Sequence, residues 1–259
     1  MTIDAHIHLD QYSEELVERY IQTWIESGVQ SVVAVSTNLK SSYKTLKLKQ
    51  KYPTFIRAAI GHHPEDAPPL QRELHELLNL IKKEKHLISA IGEIGLPTYN
   101  KKELYELYHE EVFVETIEQF IQVAKTEALP VSLHAVHEES EKVLNLLKKH
   151  YIRKAHFHWL KTSQETANEI ICCGYYVSVT PEVCYRKRDQ KLVQLIPVDQ
   201  LLIETDGPWQ FNEMFMGRET TPLFLEDILT CLSNILSTPR EGLRKKILEN
   251  TEQLYINKS

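Results

Sequence analysis

Residues 2–10 read TIDAHIHLD, a short apolar run in which His6 and His8 stand one residue apart. In a β-strand, side chains two residues apart point to the same face, so Asp4, His6 and His8 would share one side of a strand. A row of ionisable side chains does not build an apolar core, whereas imidazole nitrogen is a common ligand of zinc-like ions. The stretch predicts part of a metal site, with a pair of surface histidines at a frayed N-terminus as the alternative.

The same kind of short apolar run recurs along the chain, each time followed by a helix-like segment. Segments 13–28, 112–128 and 140–151 carry apolar residues at helical spacing, and the chain after Thr221 is mostly helix-like. Strands that alternate with helices pair in parallel, and eight such units in about 250 residues match a (β/α)₈ barrel. An open doubly wound sheet is the alternative, but it usually carries a Gly-rich phosphate loop that this chain lacks. We therefore expect one α/β domain over residues 1–259, a (β/α)₈ TIM barrel with C-terminal helices. The strand-like runs are 2–7, 30–37, 55–61, 87–94, 130–135, 154–159, 175–180 and 201–206.

Composition and charge narrow the classes of function. The 259 residues are 42% hydrophobic and 25% charged, and the formal net charge of −6 provides no global positive field for nucleic acid or anionic membranes. No stretch approaches the roughly 18 apolar residues of a membrane span, and no signal-peptide pattern is present. The four cysteines form no CxxC pair, and we expect reduced, mostly buried thiols. These features indicate a cytoplasmic protein that does not bind membranes, and no obligate protein partner is evident.

Ionisable residues stand at the end of nearly every predicted strand. Barrel enzymes carry their chemistry at the C-terminal ends of the strands, so these residues would meet at one rim. Singly, each has a structural explanation: Glu93 as a helix-start carboxylate, His134 as a core histidine and Asp206 as a turn residue. Together they indicate a metal site. The residues at these ends are His6, His8, His62, His63, Glu93, His134, His156, His158, Glu204 and Asp206.

Two pairs of histidines require a choice. His156 and His158 would face the same way on a strand. His158 is favoured because it is nearer the C-terminal end, while His156 would support it from one layer deeper. His62 and His63 are adjacent, so only one of them should point into the site. Pro64 restrains the residue before it to an extended conformation, and we favour His63 as the residue that faces the substrate.

Seven short segments follow one another in a characteristic order between residues 3 and 255: IDAHIHLD, GHHPE, GEIGL, LPVSLHA, HWLKTS, ETDGPW and ENTEQLY. This order resembles the TatD family of metal-dependent hydrolases, within the amidohydrolase-like barrels. An H-x-H motif alone is common to many barrel hydrolases, whereas GEIGL and ETDGP together are much more specific. The resemblance covers essentially the whole chain.

The resemblance implies a site for two divalent metal ions, with zinc, manganese, magnesium, nickel and cobalt as candidates. Glu93 would bridge the two ions, and Asp206 would orient or deprotonate the attacking water. These two would be the catalytic residues, while His63 matches a position associated with the substrate phosphate. The implied metal ligands are His6, His8 and Asp206 for the first ion, Glu93 between the ions, and His134 and His158 for the second.

The resemblance also implies the reaction, which is phosphodiester hydrolysis by metal-activated water, of the kind that a DNA 3′–5′ exonuclease performs. The substrate would be a phosphoester such as single-stranded DNA or a nucleotide. Three departures from the family pattern concern substrate contacts: Pro97 follows Leu96, Val136 stands where an arginine is usual, and HWLKTS lacks the family's glycine. The basic run YRKRDQK (185–191) is a candidate anion contact, with a solvated loop as the alternative.

Two other functions remain open from the residues alone. An amide- or ring-opening hydrolase uses the same kind of barrel site, although such enzymes often carry a lysine at the strand-four position where this chain has Glu93. A metal-binding protein without catalysis is the second alternative. The presence of Asp206 beside a complete ligand set argues against it.

Overall fold

Eight β-strands form one parallel sheet in the computed structural model, which describes residues 1–256. Each strand pairs with the next along the chain. The two ends of the sheet also meet, since the backbone N–H of His8 donates to the Gly207 carbonyl at 2.8 Å. Likewise, the N–H of Asp206 donates to the His6 carbonyl at 3.0 Å. This order confirms the predicted (β/α)₈ barrel. The strands are β1 (Thr2–Ile7), β2 (Val29–Val35), β3 (Ile56–Ile60), β4 (Ile88–Gly95), β5 (Val131–His134), β6 (Ala155–Phe157), β7 (Tyr176–Val179) and β8 (Leu201–Ile203).

Helices connect the strands and follow the last of them. The helix predicted over 13–28 begins only at Val17, after a turn in which the Leu16 amide donates to the Ser13 carbonyl at 3.0 Å. No helix in residues 1–256 combines the length and the hydrophobicity that a membrane crossing requires. The helices are α1 (Val17–Glu26), α2 (Leu39–Lys51), α3 (Gln71–Lys83), α4 (Lys101–Leu107), α5 (Glu110–Glu127), α6 (Glu139–His150), α7 (Gln164–Cys172), α8 (Lys187–Val193), α9 (Leu225–Ile235) and α10 (Arg240–Tyr255).

Apolar side chains fill the space between the strands and the surrounding helices. The largest buried cluster joins strand residues such as Ile91 and Leu133 to helix residues such as Leu77, Ile117 and Phe120. Burial of each such side chain contributes roughly 1.5–3 kcal/mol. The packing between layers therefore holds the strands in the order that brings their C-terminal ends together.

The C-terminal helix α10 returns to the barrel. Leu254 and Tyr255, at its end, are buried in one cluster with Ala5 and Ala90. The Tyr255 hydroxyl lies 2.6 Å from Nδ1 of His156 in β6. The last helix thus packs against the strands and makes a polar contact with one of the predicted histidines.

The cysteines differ in part from the expectation. All four are unpaired, as predicted. Cys172 is exposed, and Cys173, Cys184 and Cys231 are partly exposed, so the prediction of mostly buried thiols is wrong. The two adjacent cysteines stand at the end of α7, where the helix meets solvent.

Candidate metal centre

The six predicted metal ligands come together at the C-terminal ends of the strands. Parallel strands of a barrel all point the same way, so residues at these ends share one rim. Every one of the six is at most 9% exposed. They are His6 in β1, His8 just after it, Glu93 in β4, His134 at the end of β5, His158 just after β6 and Asp206 shortly after β8.

A first group of atoms surrounds one oxygen of Glu93. Glu93 Oε2 lies 3.2 Å from His6 Nε2 and 3.4 Å from His8 Nε2. Asp206 Oδ1 lies 3.5 Å and 3.3 Å from the same two nitrogens. Neighbouring donor atoms that bind one divalent ion at about 2.0–2.4 Å lie roughly 2.8–3.9 Å apart, and these spacings fall in that range.

A second group surrounds the other oxygen of Glu93. Its Oε1 lies 2.7 Å from His158 Nε2 and 3.0 Å from His134 Nδ1. His63 Nε2 lies 3.3 Å from the same oxygen, and the His63 side chain is 18% exposed. The carboxylate of Glu93 therefore presents a different oxygen to each group, and His63 lies at the edge of the second group.

Several atoms of these groups are buried without a hydrogen-bond partner among the described residues. They include His6 Nε2, His158 Nε2, Glu93 Oε2 and Asp206 Oδ1. A buried polar atom left unsatisfied costs about 1–3 kcal/mol, so four at one place call for a ligand. Imidazole nitrogens and carboxylate oxygens are donors that divalent cations accept. The donor set therefore fits metal ions.

The two acids of the centre are ionised. Burial on its own would raise the pKa of Glu93, but the surrounding histidines, His63 foremost, hold that pKa well below its usual value. Burial also opposes the charge of Asp206, whose pKa is nevertheless lowered by its contact with His8. Both carboxylates are therefore available as anionic donors at neutral pH.

Glu65 contacts the second group from outside. Its Oε1 lies 3.1 Å from His134 Nε2, and the backbone amides of residues 98–100 donate to its carboxylate at 2.7–2.9 Å. Burial opposes the charge, but these hydrogen bonds lower the pKa of Glu65 to about 2. A carboxylate on one ring nitrogen orients a histidine and leaves its other nitrogen for a metal. Glu65 was not among the predicted site residues, although GHHPE places it two residues after His63.

Glu204 and His156 form a layer behind His158. Glu204 Oε1 lies 3.5 Å from His158 Nδ1 and accepts a hydrogen bond from the Trp159 backbone amide at 2.8 Å. Its Oε2 accepts from the Ser178 hydroxyl at 2.7 Å, and that hydroxyl lies 2.7 Å from His156 Nε2. His156 thus reaches His158 through Ser178 and Glu204 and does not join the group of ligand-type atoms.

Glycines on both sides of Glu93 allow β4 to approach β5 closely. A Cβ atom at Gly92 would lie 2.7 Å from the Cβ of Ser132, and one at Gly95 would overlap the carbonyl oxygen of His134. Close-packed interiors do not accommodate such overlaps without a shift of the backbone. The motif GEIG therefore lets the two strands carry Glu93 and His134 into contact.

The other predicted residues lie outside the two groups. His62 turns to the backbone, with Nε2 2.9 Å from the Ala67 carbonyl oxygen. The basic run 185–191 is partly neutralised by acids of the chain, since Arg188 lies 3.0 Å from Glu182. This pairing weakens its candidacy as an anion contact.

Two departures from the family pattern have visible consequences. Pro97 is buried and precedes residues 98–100, whose amides hold Glu65. Val136 is only 2% exposed, and its apolar side chain offers the rim no polar group in place of the usual arginine. The changes therefore alter the surroundings of the site and leave the six ligand-type side chains in place.

Relatives of the chain were identified by sequence. The family model described as TatD related DNase matches residues 3–256. An uncharacterized metal-dependent hydrolase of Haemophilus influenzae is 40% identical over 255 residues, which cover 98% of this chain and 99% of the relative. YabD of Bacillus subtilis, named an uncharacterized metal-dependent hydrolase, is 29% identical over 98% of this chain and 99% of its own length. Human deoxyribonuclease TATDN3 is 27% identical over 80% of this chain and 77% of its own length.

A solved structure shares the fold. The crystal structure of YjjV, a TatD homolog from Escherichia coli, superposes with a TM-score of 0.86 at 23% identity, covering 98% of this chain and 97% of that one. The family match and the sequence identity confirm the resemblance seen in the motifs. This chain therefore belongs to the TatD family of metal-dependent hydrolases.

Proposed function

We propose that this protein hydrolyses phosphodiester bonds of DNA, in the manner of a 3′–5′ exonuclease, at a site for two divalent ions. The observation that carries the proposal is the position of Glu93, whose two oxygens face different histidines of the site. Two ions held side by side can stabilise both the attacking and the leaving oxygen when a phosphodiester is hydrolysed. The name of the human relative, a deoxyribonuclease, supports the same reaction.

The proposed ligands divide between the two ions as they divide between the oxygens of Glu93. Imidazole-rich donor sets suit zinc, manganese, nickel or cobalt better than magnesium, which prefers oxygen ligands. When bound, the two ions would offset the charge of the phosphate and lower the pKa of a water molecule towards neutrality. The first ion would be held by His6, His8, Asp206 and Oε2 of Glu93, and the second by His134, His158 and Oε1 of Glu93. Ligand atoms of His6, His158 and Asp206 also lie within 4.8 Å of one another, so the two sets of ligands adjoin.

Asp206 is the proposed general base. Burial opposes its charge, but the contact with His8 lowers its pKa, so that it is ionised at neutral pH. Its Oδ1 is buried without a hydrogen-bond partner in residues 1–256 and lies 3.3 Å from His8 Nε2. An ionised carboxylate in this position can take a proton from the attacking water without first losing one itself.

His63 is the proposed contact to the substrate phosphate. Its Nδ1 accepts a hydrogen bond from the Glu65 backbone amide at 3.2 Å, which leaves the ring hydrogen on Nε2. Its backbone amide donates to the Thr37 carbonyl at 2.8 Å and fixes the start of the loop. An N–H group at this partly exposed edge of the site can donate to a phosphate oxygen, and the same nitrogen lies 3.3 Å from Glu93 Oε1.

Metal analysis and three assays test this function. The protein, purified with its metal, would be given bis(p-nitrophenyl) phosphate, a single-stranded oligonucleotide labelled at either end, and a cyclic amide, each with and without a chelator. We expect two ions per chain, hydrolysis of both phosphodiesters, shortening of the oligonucleotide from its 3′ end, and loss of activity on chelation. Hydrolysis of the cyclic amide alone would establish the amide-hydrolase alternative. Bound metal without turnover of any substrate would indicate a metal-binding protein.

We also propose that residues 1–259 form a single domain located in the cytoplasm. The single sheet that joins all the described strands supports the first statement. The four unpaired cysteines are typical of a reducing compartment and support the second. All residues of the proposed site come from one chain, so the reaction would require no protein partner.

A further inference from the structure

Lys161 is a buried cation beside the proposed site. It lies in the loop after β6, three residues beyond His158, and is only 9% exposed. Its Nζ lies 3.7 Å from the centre of the Trp159 ring and donates a hydrogen bond to the Tyr99 hydroxyl at 2.9 Å. Both partners are neutral, so neither cancels the charge of the ammonium group.

No carboxylate of residues 1–256 forms an ion pair with Lys161 within 4.0 Å. Arg188, which lies nearby, differs in this respect, because it contacts both Glu182 and Asp189 at 3.0 Å. Burial lowers the pKa of Lys161, and the more distant carboxylates of Glu182, Asp189 and Asp206 only partly oppose this shift. A charge buried without a counter-ion is costly unless a ligand of opposite sign completes the pair.

The position of Lys161 links it to the second group of the metal centre. Its Nζ lies 5.5 Å from the centre of the Tyr99 ring, and that ring lies 6.0 Å from the ring of His134. Trp159, on which the ammonium packs, directly follows His158 in the chain. A substrate that reaches past His134 at the edge of the second group would therefore meet Tyr99 and Lys161.

An exposed aromatic ring lies beside Trp159, on which the Lys161 ammonium packs. Trp209, three residues after Asp206, is 59% exposed, and its ring centre lies 5.9 Å from that of Trp159. Aromatic rings beside a cation are typical of surfaces that bind single-stranded nucleotides, because bases stack on the rings while phosphates pair with the cation. The neighbours of Lys161 thus suit a nucleotide better than a small carboxylate.

We propose that Lys161 and the Tyr99 hydroxyl bind a second anionic group of the substrate, a phosphate next to the one that is cleaved. The inference rests on the proposed phosphodiesterase function and adds a binding subsite for a neighbouring phosphate, with the two residues that would form it. Lys161 supplies the positive charge. The Tyr99 oxygen accepts from the ammonium, so its own hydrogen is free to donate to a phosphate oxygen.

Dinucleotides that differ by one terminal phosphate test the proposal. For the metal-loaded wild type, kcat and KM would be measured with TpT, with pTpT, which adds a 5′ phosphate, and with TpTp, which adds a 3′ phosphate. We expect the KM of one phosphorylated form to be about tenfold below that of TpT. Lys161→Met keeps the length of the side chain and its contact with Trp159, and should lose this preference. Lys161→Arg should keep most of it.

A binding measurement and a matched variant separate charge from packing. Tryptophan fluorescence would follow binding of the preferred dinucleotide with a slowly cleaved phosphorothioate linkage, and Lys161→Met should raise the dissociation constant about tenfold. Lys82→Met, at an exposed position near the end of α3, should behave as wild type. If circular dichroism shows Lys161→Met to be unfolded, Tyr99→Phe decides, since it should reduce the preference without removing the cation.

The outcomes distinguish this inference from the proposed function. A wild type that treats the three dinucleotides alike would overturn the role of Lys161, and so would a folded Lys161→Met variant that keeps the preference. A wild type that cleaves no phosphodiester would overturn the proposed function itself.

Discussion

Glu65 Oε1 lies 3.1 Å from Nε2 of His134, on the side of the ring away from Glu93. Because backbone amides hold Glu65 as an anion, it accepts the hydrogen of that nitrogen and leaves the lone pair on Nδ1 for the centre. The arrangement explains why the Glu65 side chain, which contacts only His134 among the six proposed ligands, is 11% exposed. Glu65 therefore supports a ligand of the second group and none of the first.

Glu65→Gln should weaken the binding of the second ion about 10–100-fold, since a neutral amide orients His134 less firmly and raises its basicity less. Metal content would be measured by mass spectrometry after dialysis against graded concentrations of chelator, and the variant should lose one ion before the wild type does. Glu111→Gln, at an exposed position in the first turn of α5, is the control. Equal loss of both ions, or no difference from wild type, would contradict this role.

Asp206→Asn should lower kcat about 10²–10⁴-fold while substantial metal stays bound, because an amide oxygen can coordinate an ion but cannot take a proton from water. Turnover of bis(p-nitrophenyl) phosphate and metal content would be measured on the same sample. Asp199→Asn, at an exposed position, should leave both unchanged. Full activity of Asp206→Asn would remove the proposed base.

Gly95→Ala should reduce the free energy of unfolding by about 1–3 kcal/mol, because the new methyl group overlaps the His134 carbonyl and forces β4 and β5 apart. Urea denaturation measures the effect. In Gly242→Ala the methyl group meets nothing within 4 Å and lies in α10, so the free energy of unfolding should rise by up to about 1 kcal/mol. A Gly95→Ala variant as stable as Gly242→Ala would show that the strands can separate at no cost.

Cys184 should react with iodoacetamide more slowly than Cys172 at pH 8. Burial raises the pKa of the Cys184 thiol, and the neighbouring Cys231 adds to this, so little of it is thiolate at that pH. Cys172 is exposed and accessible to the reagent. Peptide mass spectrometry at timed intervals compares the two, and both should react at similar rates in urea. Equal rates in the native protein would refute the prediction.

The alternation of strands and helices could be predicted because hydrophobic periodicity is a local property, visible without knowledge of any neighbour. A chain of β–α units then places all strand ends at one rim, since successive parallel strands are joined by right-handed crossovers. For this reason His6, Glu93 and Asp206 could be assigned to one place from spacing alone. Element boundaries were less certain, and helix α1 starts four residues later than predicted because a turn precedes it.

The sequence by itself therefore determined the barrel, its rim and the set of residues available there. Only the tertiary structure decided which atoms meet: the division of the two Glu93 oxygens between groups, the carboxylate of Glu65 behind His134, and the unpaired charge of Lys161. These contacts join segments far apart in the chain. They depend on strand register, on closure of the sheet and on the paths of the loops, and local spacing carries no information about any of the three.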